Sequence, residues 1–237
     1  MIGEINQSNL YLLLPSKVSW LADMVTTNKG ISLIDAIKQI YSSDTYKRLE
    51  NEETKMWHWG PVDLYNEMIS KETGREYIFI SRSDSTLRGH YPLETELLKA
   101  NYEKNTGKTI DGEILCPFFK EGGRFTIDDV HYVKYGEELI PANETEFAKD
   151  KTFGYTAATM PEYVEEKTKG AYKASDVTCI SLEEIHDMDI DGIQKKLMEV
   201  RDFNKIIVNA VDYADVKVFC VALYRAMAAG KVFMFRT

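Results

Sequence analysis

Apolar positions recur along this chain in two rhythms, helical over the first third and strand-then-helix over the rest. In residues 1–73, Val18, Leu21 and Val25 lie at helical spacing after Pro15, which suits a first helical turn, and Gly30 marks the stop. Ser32, three residues before Asp35, resembles a capping box for a helix carrying Leu33, Ala36, Ile37 and Ile40 on one stripe. Gly60 and Pro61 open a last helix bearing Val62, Tyr65 and Ile69. Trp20, Trp57 and Trp59 all fall here and read as the core of a small helical module. His58 has no carboxylate or cysteine partner at useful spacing, so it reads as packing or surface.

From residue 74 onward strands and helices alternate. Residues 77–80 form an unbroken apolar run, the pattern of a strand buried on both faces. Pro92 then suits the start of a helix with Leu93, Leu97 and Ala100 on one face, running toward Gly107. Residues 113–119 read as a strand, and Val130, Tyr132 and Tyr135 with a return over 138–141 about Gly136 read as a hairpin. A helix over 161–169, a strand over 177–181 and a helix over 190–200 follow. The chain closes with a strand over 206–210, a helix over 215–229 and a strand over 232–235. This order predicts an α/β fold: a mostly parallel, three-layer, Rossmann-like sheet with a β-hairpin over residues 74–237, preceded by a small all-helical segment over 1–73. The loops at the carboxyl edge of such a sheet converge on one crevice. Asn209, Asp212 and Arg236 belong on that edge with the loop after residue 80.

That loop is the chemically richest stretch. Ser81, Arg82, Ser83, Asp84, Ser85, Thr86 and Arg88 crowd into eight positions before Gly89. Leaving a parallel strand and entering a helix, it would present free backbone N–H groups to an anion, with two arginines beside them. It equally fits a capped helix start, with Ser85 or Thr86 on orphan donors and both arginines in solvent.

Composition narrows the partners. A net charge of −9 is spread evenly, with 7 basic and 10 acidic groups in residues 1–74 and 22 and 28 in the remainder. Neither part is a basic stripe, which argues against nucleic acid and anionic membrane. No basic n-region precedes the short apolar run at residues 10–14, and no run reaches the ~18 apolar residues of a membrane span, so a cytoplasmic protein is expected. Cys116, Cys179 and Cys220 lie far apart and read as reduced core residues. Asp128, Asp129 and His131 have no further ligand nearby and read as turn chemistry, not a metal site.

The run DSTLRG at residues 84–89, with Arg82 two positions before it and Glu94 or Glu96 in the following helix, resembles the signature loop of the four-carbon acid sugar kinases. Supporting matches are the segment around Gly123, Arg124 and Thr126 leading into His131 and Tyr132, the NETEFAKD run with Glu144, Glu146 and Asp150, IVNAVDYADVKVF and the closing FMFRT. The resemblance implies a fold with a substrate-binding α/β domain and an ATP-dependent activity on acids such as threonate, erythronate and 3-oxo-tetronate. It implies that Arg82, Ser83, Asp84 and Ser85 contact the sugar acid, with Thr86, Arg88, Arg124 and Thr126 at the same pocket. By chemical type, Arg88 suits the ligand's carboxylate and Asp84 its hydroxyls. For Arg124 a bulge or hairpin role beside Gly122 and Gly123 is equally open. Catalytic residues are not assigned.

This chain also departs from the family. It begins with the helical segment, which weakly resembles a small bacterial domain of unknown function, where the family has a strand and a paired-aspartate motif. It stops at Thr237, where the family's ATP-binding domain would begin. ATP and Mg²⁺ are therefore expected for the complete family enzyme and not for this chain alone, with a separate ATP-binding domain and a homo-oligomer as the further partners. The competing expectation is a non-catalytic interaction or anion-binding protein acting through the aromatic stretch 46–65. A third is a relic, which an exposed apolar sheet edge along 232–235 would support.

Overall fold

The computed structural model describes residues 5–73 and 78–237. The chain divides into two compact units, Met1–Tyr77 and Ile78–Thr237.

The first unit is helical: α1 (Leu14–Lys29), α2 (Leu33–Ser42), α3 (Asp44–Leu49) and α4 (Pro61–Thr73). Pro15 sits in the first turn of α1, Gly30 ends it at φ 64°, and Val18, Leu21 and Val25 are buried as their spacing predicts. Ser32 caps α2 by accepting from the Asp35 amide. Two expected faces are corrected. In α2 only Ala36 and Ile40 are buried while Leu33 is exposed, and in α4 Leu64 and Met68 face inward while Val62 is exposed. Only Trp59 among the tryptophans is buried; Trp20 is exposed, and Trp57 stacks on His58 at 3.5 Å between ring centroids.

The second unit contains β1 (Ile80–Ser81), α5 (Leu93–Thr106), β2 (Gly112–Leu115), β3 (Arg124–Ile127), β4 (Val130–Tyr135), β5 (Glu138–Pro141), α6 (Met160–Lys167), β6 (Thr178–Ile180), α7 (Leu182–His186), α8 (Ile190–Glu199), β7 (Asn204–Val208), α9 (Tyr213–Ala228) and β8 (Phe233–Arg236). Among the described residues, five strands form a wholly parallel sheet in the order β1-β8-β2-β7-β6. Alternate residues of the central strands feed two cores. Ile114, Ile206, Val208 and Phe233 meet α7, α8 and α9, whereas Leu115 and Ile207 meet α6 and the loop after β1. The α/β architecture and hairpin are thus as the pattern predicts.

Three details differ. The strand near residue 80 is short and lies at the sheet edge, so Phe79 is buried but Ile78 and Ile80 are exposed; Tyr77 lies outside the described residues. Helix α5 buries Thr95 and Tyr102, leaving Leu93 and Leu97 exposed. The closing strand β8 is interior, between β1 and β2, so residues 233–236 are no exposed sheet edge.

Strands β3, β4 and β5 form a separate antiparallel sheet. Asp128 (φ 48°) and Asp129 (φ 62°) make the tight turn between β3 and β4, where positive φ at both positions matches the strands' twist. This sheet is fastened to the carboxyl end of β7. The Thr126 and Ala210 backbones exchange hydrogen bonds of 3.1 and 3.0 Å, and the Asn209 side chain holds the Asp129 amide at 2.8 Å. The small sheet thereby stands at the edge from which the polar loop emerges.

Candidate functional site

The loop after β1 is bound to its surroundings through consecutive carbonyls. His131 Nε2 lies 2.8 Å from the Ser85 carbonyl oxygen, the Tyr155 hydroxyl donates to that of Thr86 at 3.0 Å, and the Tyr163 hydroxyl to that of Leu87 at 2.7 Å. Leu87 has φ 68°, a conformation that costs a branched residue energy and persists only where the surroundings fix it. Tyr155 and Tyr163 pack edge to face, and Tyr163 stacks on Tyr91, which gives the clamp an apolar backing. Burial raises the hydroxyl pKa of both clamping tyrosines, keeping them neutral donors.

Three of the loop's backbone N–H groups are committed to the chain itself. Ser83 N–H donates to the Thr237 carbonyl at 2.8 Å, Thr86 N–H to Asp84 Oδ1 at 3.0 Å and Leu87 N–H to the Asp84 carbonyl at 2.9 Å. Ser85 and Thr86 do not cap a helix, because α5 starts at Leu93 with Pro92 in the cap position and no side-chain cap. The capping reading of the loop is corrected, and any anion chemistry rests with the remaining amides and the guanidinium groups.

Arg88 is the centre of that chemistry. Its Nε donates to Asp84 Oδ2 at 2.6 Å and to Thr86 Oγ1 at 3.1 Å. Burial would raise the Asp84 pKa, but the Thr86 amide and hydroxyl and the Arg88 guanidinium outweigh it and hold the carboxyl below its usual range. With Nε committed, both Nη groups of Arg88 make no hydrogen bond to a described residue, and the side chain is 35% exposed. Its guanidinium carbon stands 5.1 Å from the centre of the Phe147 ring. The Arg124 guanidinium stands 5.5 Å from the same ring and hydrogen-bonds the Gly122 carbonyl, while its Nε is buried without a partner. One aromatic ring therefore gathers the two arginines from segments far apart in sequence.

Residues 62–237 match the profile of one family, the sugar-binding N-terminal domain. The chain belongs to this family. Solved structures with a similar fold include a Salmonella typhimurium LT2 protein provisionally named a tRNA synthase, at 12% identity and TM-score 0.50, over 73% of this chain and 37% of that one. Protein HI1011 of Haemophilus influenzae, of family DUF1537, is 18% identical with TM-score 0.48, over 74% and 40% of the two chains. A DUF1537 domain of unknown function from Bordetella bronchiseptica, solved as a domain-swapped dimer with bound citrate, is 18% identical with TM-score 0.47, over 74% and 38%. The Salmonella likeness supports the α/β fold and nothing finer. The chain spans about two fifths of the length of the solved structures it matches. No curated protein matches it.

Within this sugar-binding domain the residues singled out from the sequence divide into three groups. Asp84, Thr86, Arg88 and Arg124 are brought together. Ser83 and Thr126 have hydroxyls already engaged, Ser83 on the Thr237 carbonyl at 3.2 Å and Thr126 on His131 Nδ1 at 3.0 Å. Thr126 is also fully buried and supports the loop from beneath through His131. Ser85 contributes its carbonyl to the clamp, and Arg82 is exposed and apart from the ion pair. Sequence reasoning missed Phe147, Tyr155 and Tyr163 as parts of the site and read His131 as a turn residue. Phe147 lies inside the NETEFAKD run, but neither tyrosine carries a local signal. Among the described residues, no cluster of His, Cys, Asp and Glu is arranged to hold a metal ion, and no helix is long and apolar enough to cross a membrane.

Proposed function

We propose that the 82–88 loop of this sugar-binding domain holds a small sugar acid of the threonate, erythronate or 3-oxo-tetronate type, as the substrate-recognition part of an ATP-dependent four-carbon acid sugar kinase. The observation that carries this reading is the uncommitted Nη edge of Arg88, fixed by Asp84 on one side and Phe147 on another. A planar fork with two parallel N–H groups matches a carboxylate bidentately. Arg124 adds a second positive charge on the same ring, and Asp84 remains an acceptor for a sugar hydroxyl. ATP and Mg²⁺ belong, in this reading, to a separate nucleotide-binding domain, and no residue of this chain is assigned to them. Phosphoryl transfer depends on positioning the nucleotide and neutralising its charge, so this domain alone supplies recognition without turnover.

A non-catalytic interaction protein acting through Trp57 and Trp59 finds less support, because Trp59 is buried and Trp57 is stacked on His58. The relic reading loses its motivating feature with β8 in the sheet interior.

The test is thermal unfolding with and without threonate and erythronate. The reading predicts a rise in Tm with at least one acid that Arg88→Ala abolishes. A rise unchanged in Arg88→Ala, or no rise with any four-carbon acid, contradicts it.

A further inference from the structure

Arg236 ends β8 at the same sheet edge, in register with Ser81 on one side and Leu115 on the other. It is 5% exposed. A guanidinium carries five N–H donors, yet among the described residues it makes one hydrogen bond, from Nη1 to Glu94 Oε2 at 3.3 Å. That is long for a charge-assisted bond, which normally measures about 2.7–2.9 Å. The Tyr91 ring, 5.0 Å from the guanidinium carbon, adds a weaker attraction. Glu94 is a shared and half-solvated counter-ion: its other oxygen accepts from Ser81 Oγ at 2.7 Å, and its side chain is 41% exposed.

A buried cation matched so thinly costs a fold free energy that a tighter partner would recover. Its position says where that partner would come from. Nη2 lies against Gly89, 3.5 Å from where a β-carbon would stand, and Gly89 at φ 127° immediately follows Arg88. A glycine with no side chain thus separates the Arg236 guanidinium from the loop that carries Arg88.

We propose that Arg236 is a further anion-binding residue of the acid site, held in reserve by Glu94, and that the ligand's carboxylate displaces Glu94 from it. Glu94 is then an internal competitor that sets affinity, because Ser81 draws one of its oxygens away and leaves a single long contact to Arg236. An incoming carboxylate meets the guanidinium without that constraint. The inference rests on the reading of the loop as an acid site.

Calorimetric titration of threonate and erythronate into the full chain, its Glu94→Gln form and its Arg236→Lys form tests it. Glu94→Gln keeps a polar group for Ser81 but removes the competing charge, so it should bind the acid about threefold tighter, the scale of a half-exposed ion pair. Arg236→Lys should bind at least about tenfold weaker, because a point charge cannot replace the fork. Where Arg236→Lys does not fold, Glu94→Gln decides alone. Unchanged or weaker binding by Glu94→Gln makes Arg236 a structural partner of Glu94 and overturns this inference while the acid site stands. No binding of either acid by the unmodified chain overturns both.

Discussion

His131 Nε2 and the Ser85 carbonyl oxygen, 46 positions apart in sequence, lie 2.8 Å from one another in the interior. The carbonyl requires a proton on Nε2, so the neutral ring accepts the Thr126 hydroxyl at Nδ1, 3.0 Å away, and both ring nitrogens are satisfied. Burial pushes the His131 pKa down to about 4, below the ~6.5 of an unfolded chain.

Between those two values the unfolded chain binds a proton that the folded chain refuses, so stability rises with pH across that window and is lost as pH falls through it. The loss is about 3 kcal/mol between pH 6.5 and 4. Asp84, with its folded value depressed, adds a further loss only at lower pH, as the carboxylate is protonated. Urea unfolding at pH 7, 5.5 and 4.5 should show the decline in the unmodified protein and a flatter dependence in His131→Gln. Equal slopes for both would rule out a neutral His131 as the cause.

Phe147 is the ring on which Arg88 and Arg124 meet. Phe147→Leu keeps apolar volume and removes the ring face, which is worth about 0.5–1 kcal/mol per guanidinium. Affinity for the acid should fall about fivefold, while Tm falls by no more than about 4 °C. An unchanged dissociation constant in titration calorimetry would mean that the arginines are placed by something else.

Asp84 and Arg88 form a half-exposed pair, so its worth to stability is small, about 1 kcal/mol or less. Asp84→Asn should leave the unfolding midpoint nearly unchanged. It should still weaken binding of threonate more than binding of acetate, which has no hydroxyl for Asp84 to accept. Equal losses for the two ligands would assign Asp84 only to holding Arg88.

Much of the fold is legible because its signals are local. The helix expected over 215–229 is α9, Gly230 follows it at φ 99°, and the apolar run after it is β8. The edge strand is not legible because an apolar run looks the same whether one face or two are covered; only the strand order shows that Ile78 and Ile80 have no cover. In α5 the periodicity of Leu93 and Leu97 is real but faces outward, since Thr95 and Tyr102 are the residues drawn in. The polar loop announced itself by composition. Its supports did not, because Tyr155 and Tyr163 reach it from 69 and 76 positions away and no local pattern distinguishes them from ordinary core.

Beneath the same sheet face, Lys205 of β7 and Glu113 of β2 are registered neighbours that pair at 2.6 Å with no exposure, and Lys205 Nζ also lies 3.6 Å from the centre of the Phe203 ring. Removing one partner strands a buried charge. Lys205→Met should destabilise by about 3–5 kcal/mol, and adding Glu113→Leu should recover most of that. Urea unfolding of the single and double variants checks it; a double variant no more stable than the single one would count against the pair.

The most direct measurement is the affinity of threonate and erythronate for the intact chain and for Arg88→Gln, by titration calorimetry at constant ionic strength. If the loop after β1 is an acid site, at least one acid binds the unmodified chain and the variant loses at least about tenfold, or 1.4 kcal/mol. Binding that survives Arg88→Gln undiminished would contradict the account.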